Sequence, residues 1–537
     1  MISDKLRDEV QKWIDHDPDK KTAAELNKWL TENNETEIAR SFNGFLQFGT
    51  AGLRGRIGVG PSCMNRAVVS RTAAGIVSFM KANNLSSVVI GRDARHGSDD
   101  FATDSAEIFA GAGFKTYVLP RPLPTPILAY AVNKLQVDVG IMVTASHNPA
   151  TDNGYKVYIG GQLNGVKYHG SQIISPVDSE ISNYITTANL LPNRSKEFEA
   201  VDESLIDDYI QSVANLVNAP NNLKIVYTPL HGVGAEIFLK VFSKAKFATP
   251  IIVKEQAEPN PDFPTTPFPN PEEAGAIDLC LEYARKLNAD LVIANDPDAD
   301  RCAIAINDGA IGWRMLRGDE VGIILGNYLI KKNKKSNSSI ANSLVSSSLL
   351  GKIASKNHLA FEETLTGFKW ISKIDNLFFG YEEALGYCVD PKVVNDKDGI
   401  SAAIIIAQIV GELKEKGISL TDYLDKIGEE YGFHLTDQIS IRFTELSKID
   451  NLLAKVLNNP PSELSGHMLE KSENLSDLKA MPSLGIRLIY KDQIRVIIRP
   501  SGTEPKLKCY IEVVCESKKE AVILLSQIKS ALTKVLI

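Results

Sequence analysis

The sequence lacks any apolar run near the ~18 residues that a membrane span requires. Its first residues, MISDKLRDEVQKWIDHD, are charged and amphipathic and offer no apolar segment of a secretory signal. A cytoplasmic protein with no membrane partner is therefore expected. Cysteine is scarce, and the six, at 63, 280, 302, 388, 509 and 515, form no CxxC pair. That spacing indicates neither a zinc ribbon nor a disulfide framework and predicts reduced, mostly buried thiols. Positive charge is not in excess: 59 Lys and Arg stand against 66 Asp and Glu, a net charge of −7. Nucleic acid is thus not expected as the main partner. Neither GxGxxG nor a Walker lysine occurs. An anionic ligand would have to be held by a local basic cluster.

What is present is alternation. Leu6, Val10, Trp13 and Ile14 fall at helical spacing, and a similar stripe begins over 26–30, so the first 40 or so residues are expected to be a helical packing extension. Beyond them, short apolar runs alternate with helical stretches. Residues 87–90 end in Gly91-Arg92-Asp93, 137–143 in Thr144, 224–227 in TPLHGVG, and 291–294 in Asn295-Asp296. Continuous apolar strands between helices imply sheets buried on both faces, with ligands gathered beyond the strands' carboxyl ends. The proline-rich 259–271 reads as an ordered surface loop or linker, and Asp398 as the N-cap of a helix. The tail differs: 484–498 alternates like a hairpin, 509–514 reads as a strand and 518–535 as a closing helix, together a separate α+β domain.

Several loops could carry chemistry. In Thr144-Ala145-Ser146-His147-Asn148-Pro149 the serine directly follows a buried strand, so its hydroxyl is expected to be presented rather than packed. Read alone, an ordinary turn serine is as compatible with this loop as a nucleophile flanked by a histidine. Asp296, Asp298 and Asp300, at alternate positions, can converge on one hard cation such as Mg²⁺, although strand-end carboxylates also cluster without a metal. An EF-hand is excluded, because Arg301 stands where the loop needs glycine. Arg301 itself suits a phosphate or a carboxylate. In RPSGTEPK, Arg499, Ser501, Gly502, Thr503 and Lys506 describe an anion nest. FGTAGLRG permits close backbone approach, with Arg54 as a charged contact. Lys156 lies ten residues past Ser146, Lys369 follows Thr366 and Gly367, and Glu382 and Glu383 follow a short apolar strand and could bind sugar hydroxyls.

Taken together, these segments resemble the α-D-phosphohexomutase superfamily. FGTAGLRG, TASHNP, DNGYK, DPDADR, GYEEALGY and RPSGTEPK occur in that family's order and span 48–506. The resemblance implies an α/β fold of four domains around a central cleft: three with similar α/β sheets flanked by helices, and a C-terminal α+β domain. The corresponding boundaries are 1–205, with the phosphoserine loop, 206–315, with the metal loop, 316–435, with the sugar-recognition loop, and 436–537, with the phosphate-binding loop. It implies a phosphorylated Ser146 and one Mg²⁺ held by Asp296, Asp298, Asp300 and the serine phosphate. Arg54, His147 and Lys156 would assist transfer. Arg301, Thr366, Gly367, Lys369, Glu382 and Ala384 would bind the sugar phosphate, and Arg499, Ser501, Gly502, Thr503 and Lys506 its non-reacting phosphate.

The implied activity is a phosphosugar mutase interconverting a sugar 1-phosphate and its 6-phosphate, with glucose first. It would work through a sugar bisphosphate that serves as intermediate and activator. One departure bears on the sugar. Many hexose members read Glu-x-Ser in the recognition loop, where this chain has Glu382-Glu383-Ala384. GYEEALGY and TLTGFKW look closer to the branch with phosphopentomutase and glucose-1,6-bisphosphate synthase. Phosphomannomutase, phosphopentomutase and bisphosphate synthase activities are therefore the alternatives, and a non-enzymatic sugar-phosphate sensor is the reading from a different class.

Overall fold

The computed structural model describes residues 2–49, 52–189, 191–309, 311–332, 337–443, 446–478, 483–501 and 506–536. They form two compact units, Met1–Leu316 with Gly386–Gly411, and Arg317–Leu385 with Glu412–Ile537.

The first unit opens with the helices Asp4–His16, Lys20–Thr31 and Glu35–Ser41, capped by the side chains of Ser3, Asp19 and Asn34. Their apolar stripes bury Val10, Leu26, Leu30 and Ile38 together against Val59. A mixed eight-stranded sheet follows. Its strand Val139–Val143 is buried along its whole length, parallel to Ser87–Arg92 on one side and antiparallel to Asp152–Ile159 on the other. Gly52–Arg56 pairs with the far side of Asp152–Ile159. The helices Arg66–Ala82, Ser98–Gly111 and Thr125–Lys134 cover the sheet with largely buried apolar faces. A second sheet has five strands in the order Ile251–Ile252, Ile225–Thr228, Leu291–Ala294, Ala303–Asn307, Trp313–Met315. The two strands whose ends carry loop motifs, Ile225–Thr228 and Leu291–Ala294, run parallel and are wholly buried.

The expected N-cap holds: Asp398 Oδ1 accepts the N–H groups of Ile400 and Ser401 at the start of the helix Gly399–Glu415. The proline-rich stretch is a loop without helix or strand, but it is not wholly superficial. Phe263 is buried, and its ring faces the Arg95 guanidinium at 4.9 Å, where the negative face of the ring attracts the cation.

In the second unit, Ser339–Ser343 pairs in parallel with Ala360–Thr364 and with Leu377–Glu382. A six-stranded antiparallel sheet runs Phe433–Arg442, Lys506–Cys515, Ile494–Pro500, Ile486–Tyr490, His467–Asn474, Glu463–Leu464. Its alternating residues, among them Leu488, Val496, Ile498, Leu507, Cys509 and Ile511, bury against Leu525, Ile528 and Leu532 of the helix Lys518–Leu536. The hairpin, strand and closing helix read from the tail are all present. All six cysteines are free and four of them buried. Among the described residues, no helix is long and apolar enough to cross a membrane.

Candidate active site

Where the buried strand Val139–Val143 ends, the chain turns on side-chain hydrogen bonds. Thr144 Oγ1 donates to Asp93 Oδ2 at 2.7 Å and accepts the Ser146 N–H at 2.8 Å. Ser146 adopts a φ of +52°, a left-handed conformation that turns the loop back toward the first unit's second sheet. Its hydroxyl donates to Asp296 Oδ2 at 2.7 Å and lies 3.2 Å from His147 Nδ1. The hydroxyl expected to be presented rather than packed is directed at a neighbouring loop. Ser146 is 3% exposed, because the turn aims Oγ at the aspartate loop and not at solvent.

The aspartates follow the strand Leu291–Ala294 and are all buried. One carboxylate oxygen from each of Asp296, Asp298 and Asp300 lies within 4.8 Å of the others. Asp296 Oδ1 accepts the Arg301 N–H at 3.0 Å. Asp298 Oδ2 accepts from Lys156 Nζ at 2.8 Å and from Thr125 Oγ1, and Asp300 Oδ2 accepts from Lys156 Nζ at 3.0 Å. The other oxygens of Asp298 and Asp300 are buried with no hydrogen-bond partner. Orphaned buried acceptors are rare in folded proteins. A trio of convergent carboxylates with two such oxygens fits a hard divalent cation, which takes oxygen donors.

The electrostatics divide the roles. Burial, reinforced by Asp298 and Asp300, pushes the Asp296 carboxyl well above the usual range. Burial works the same way on Asp298 and Asp300, yet Lys156 outweighs it at both, helped at Asp300 by Lys397 and Arg301, and holds them below that range. The effect is mutual: burial favours the neutral form of Lys156, but Asp298 and Asp300 prevail and keep it charged. Burial, then Arg301 and Arg54, push His147 well below the ordinary histidine value, so its imidazole is neutral at pH 7. Arg54 projects from Gly52–Arg56 and donates to Asn148 Oδ1 at 3.2 Å. Burial lowers it, but a guanidinium stays charged. The first unit thus brings together Ser146, His147, Lys156, Arg54, Asp296, Asp298, Asp300 and Arg301.

Four further residues in this cluster escaped the motif reading. Arg95, 4% exposed, donates to the backbone carbonyls of Ser146, Asn148, Pro149 and Asp152, and so fixes the serine loop from beneath. Asp93 pairs with Arg95 at 3.3 Å, and Thr125 holds Asp298. Lys397 Nζ lies 3.4 Å from Asp300 Oδ2. The loop TPLHGVG acts through its backbone. Val233 N–H donates to Pro297 O at 2.8 Å, and a Cβ at Gly232 would stand 2.3 Å from Pro297, so only glycine lets the two loops touch.

The remaining candidates belong to the second unit. Gly367, at φ +107°, opens the short helix Phe368–Ile371 that carries Lys369, with Thr366 just before it. Glu382 is buried at the end of Leu377–Glu382, and Ala384 lies two residues on. The Glu383 carboxylate accepts from the Ser343 and Ser346 hydroxyls at 2.9 and 3.3 Å, both through Oε2. Arg499 and Lys506 flank the tip of the hairpin formed by Ile494–Pro500 and Lys506–Cys515, where Ser501 N–H donates to Lys506 O at 2.8 Å. Arg499 Nε is buried without a hydrogen-bond partner, a donor suited to an anion. Gly502 and Thr503 lie outside the described residues.

Comparison with known proteins shows the family of the chain. Models of the phosphoglucomutase/phosphomannomutase α/β/α domains I, II and III match residues 46–190, 207–309 and 317–431, and that of the C-terminal domain matches 467–524. A probable phosphomannomutase of Haemophilus influenzae is 46% identical over 466 residues, covering 85% of this chain and 94% of its own. A phosphopentomutase of Pongo abelii is 35% identical over 578 residues, covering 95% and 91%. The crystal structure of a putative phosphomannomutase from Thermus thermophilus superposes with a TM-score of 0.71 at 22% identity, covering 92% of this chain and 99% of that one.

Proposed function

The chain belongs to the phosphoglucomutase/phosphomannomutase family and is a phosphomutase, an isomerase that moves a phosphoryl group within its substrate; from that premise we propose that it interconverts a hexose 1-phosphate and 6-phosphate, glucose foremost, through a phosphorylated Ser146. The observation that carries this reading is the Ser146 hydroxyl, 2.7 Å from Asp296 in a trio of convergent carboxylates.

A hydroxyl oxygen of the sugar 1-phosphate attacks phosphorus on phospho-Ser146. The new O–P bond forms as the Ser146 Oγ–P bond breaks, and the attacking hydroxyl releases its proton. The resulting sugar bisphosphate reorients and returns its other phosphoryl group to Ser146, completing two easier transfers in place of one hard one. The bisphosphate therefore also activates enzyme that has lost its phosphate. Asp296, Asp298, Asp300 and the serine phosphate would hold Mg²⁺, which when bound polarises the phosphoryl group.

Phosphoryl transfer asks chiefly for positioning and charge stabilisation. Arg54, Arg301 and the charged Lys156 supply positive charge beside Oγ. Neutral His147, 3.2 Å from Oγ, and Lys156 are the groups placed to handle the proton. Glu382 reads the sugar hydroxyls, with Ala384, Thr366, Gly367 and Lys369 lining that contact. Arg499, Ser501, Gly502, Thr503 and Lys506 grip the non-reacting phosphate. We place domain boundaries at 205/206, 315/316 and 435/436, and the enzyme in the cytoplasm with small sugar phosphates as its partners.

A second reading is favoured by one residue. Ala384 supplies no hydroxyl where hexose enzymes carry serine, which suits a pentose phosphate, as does the phosphopentomutase relative. Coupled assays with glucose, mannose and ribose 1-phosphates, Mg²⁺ and catalytic bisphosphate decide. The hexose reading expects the highest kcat/KM with glucose 1-phosphate. Turnover confined to ribose 1-phosphate would replace it with the second reading, and turnover of none would remove both.

A further inference from the structure

In the second unit, the turn 343–348 is gripped from two sides. On one side it meets the C-terminal sheet. Glu512, 3% exposed, accepts from Ser347 Oγ at 2.7 Å and from Ser348 N–H at 2.8 Å through Oε1, and pairs with Arg495 Nη2 at 2.9 Å through Oε2. His434 Nδ1 lies 3.3 Å from the same Oε1. Arg495 and Glu512 are direct cross-strand partners, and Arg495 donates in turn to the carbonyls of Leu344 and Ser346. Leu344 and Val345 bury against Ile497 and Tyr510, which sit on the same sheet face. Arg499 follows on that face, four residues or about 13 Å along the strand from Arg495.

On its other side the turn holds the segment 382–384. Ser343 and Ser346 hydroxyls donate to Glu383, and Ser346 Oγ accepts the Glu383 N–H at 3.1 Å. Ser346 is therefore held by its carbonyl from Arg495 and by its hydroxyl from Glu383. Between Glu512 and Glu383 every link is a hydrogen bond or an ion pair, with little freedom to slip.

We infer that Glu512 is a positioning residue: through Arg495 and the turn 343–348, it fixes the 382–384 segment to the sheet face that carries Arg499. The inference rests on the reading above, in which Glu382 contacts the sugar and Arg499 the distal phosphate. Two contacts on one small ligand lose affinity when their spacing drifts, even with both side chains intact. Glu512 touches neither reacting atoms nor the metal trio, so its loss weakens substrate binding and leaves the chemical step.

The test is steady-state kinetics on Glu512→Gln, Glu512→Asp and Arg495→Lys, with Glu382→Ala and Arg499→Ala alongside. Gln keeps an acceptor for Ser347 and Ser348 but removes the 2.9 Å ion pair with Arg495, leaving that guanidinium, among the described residues, only Glu363 at 3.5 Å as a carboxylate partner. Glu512→Gln is expected to raise KM for the sugar 1-phosphate about tenfold while kcat moves less than about threefold. Glu512→Asp, which keeps the charge, is expected to fall between it and wild type. A folded Glu512→Gln with KM within twofold of wild type overturns the positioning role, provided Glu382→Ala and Arg499→Ala each raise KM. If those two variants leave KM unchanged, the assignment of the loops fails first and takes the inference with it. Should Glu512→Gln not fold, Arg495→Lys carries the same expectation and the same refutation.

Discussion

The hydroxyl of Ser146 donates to Asp296 Oδ2 at 2.7 Å, joining residues 150 apart in the chain. That bond couples the loop after one buried strand to the loop after another, each strand in a different sheet of the first unit. A serine oxygen is thereby delivered to a carboxylate trio with two oxygens lacking partners. Lys156 bridges Asp298 and Asp300. A serine hydroxyl, three carboxylates that could hold a cation and a lysine ammonium thus meet in one buried cluster.

If the trio holds a cation, it trades stability for that ion. Asp296 is held away from ionisation by burial and by two neighbouring carboxylates. Asp296→Asn keeps the Oδ1 acceptor for Arg301 and replaces a carboxyl that the fold holds unionised at a cost with a side chain that is neutral in every state. In EDTA it is expected to be more stable than wild type by about 1 kcal/mol. Mg²⁺ at a hundred times its Kd should stabilise wild type by ~2.7 kcal/mol and the variant not at all. Thermal melts with and without Mg²⁺ read both, and equal Mg²⁺ responses would remove the trio from the metal site.

Asp319 sets a pH dependence of a different kind. Burial, against hydrogen bonds from Ser347 N–H and Thr436 and with Glu383 and Glu512 nearby, pushes its carboxyl up to about 6 from 3.8. A raised acid stabilises the fold in its protonated form. That contribution is complete below about pH 4 and is lost as pH rises through about 6, on the order of 3 kcal/mol. Asp319→Asn keeps an acceptor for Ser347 and Tyr381 and cannot ionise. It is expected to be the more stable protein at pH 7.5, with the loss between pH 4 and 7 reduced. Urea unfolding at pH 4, 5, 6 and 7.5 checks this, and a variant weaker than wild type at pH 7.5 contradicts it.

Ala384 is the position that separates the two sugar readings. Ala384→Ser restores a hydroxyl beside Glu382, and a polar partner built for a sugar hydroxyl discriminates strongly. The ratio of kcat/KM for glucose 1-phosphate over ribose 1-phosphate is expected to rise about tenfold. Competition between the two substrates measures the ratio directly. An unchanged ratio would place sugar selection elsewhere.

Much of this site was legible in the sequence, for a physical reason. Ser146 and the three aspartates follow directly on wholly apolar strands, and buried strands deliver their next residues to the sheet's carboxyl edge. Arg95 was not legible, because its importance lies in four carbonyls supplied by the serine loop, and a carbonyl leaves no trace in residue identity. Lys397 hid beside an N-cap aspartate, with no local pattern to mark it. Glu383 looked equivalent to Glu382 until Ser343 and Ser346, some 40 residues away, were found to hold it. In each case the missing information was a tertiary partner and not a local pattern.

The central claim is that Ser146 carries the phosphoryl group between the two half-reactions. The most direct measurement is intact mass with peptide mapping after incubation with a sugar bisphosphate and Mg²⁺, on wild type and Ser146→Ala, paired with mutase rates. The account predicts one phosphate, located on Ser146 and absent from the variant, whose rate falls at least about 10³-fold. A phosphate on another residue, or a Ser146→Ala enzyme retaining most of the wild-type rate, would contradict it.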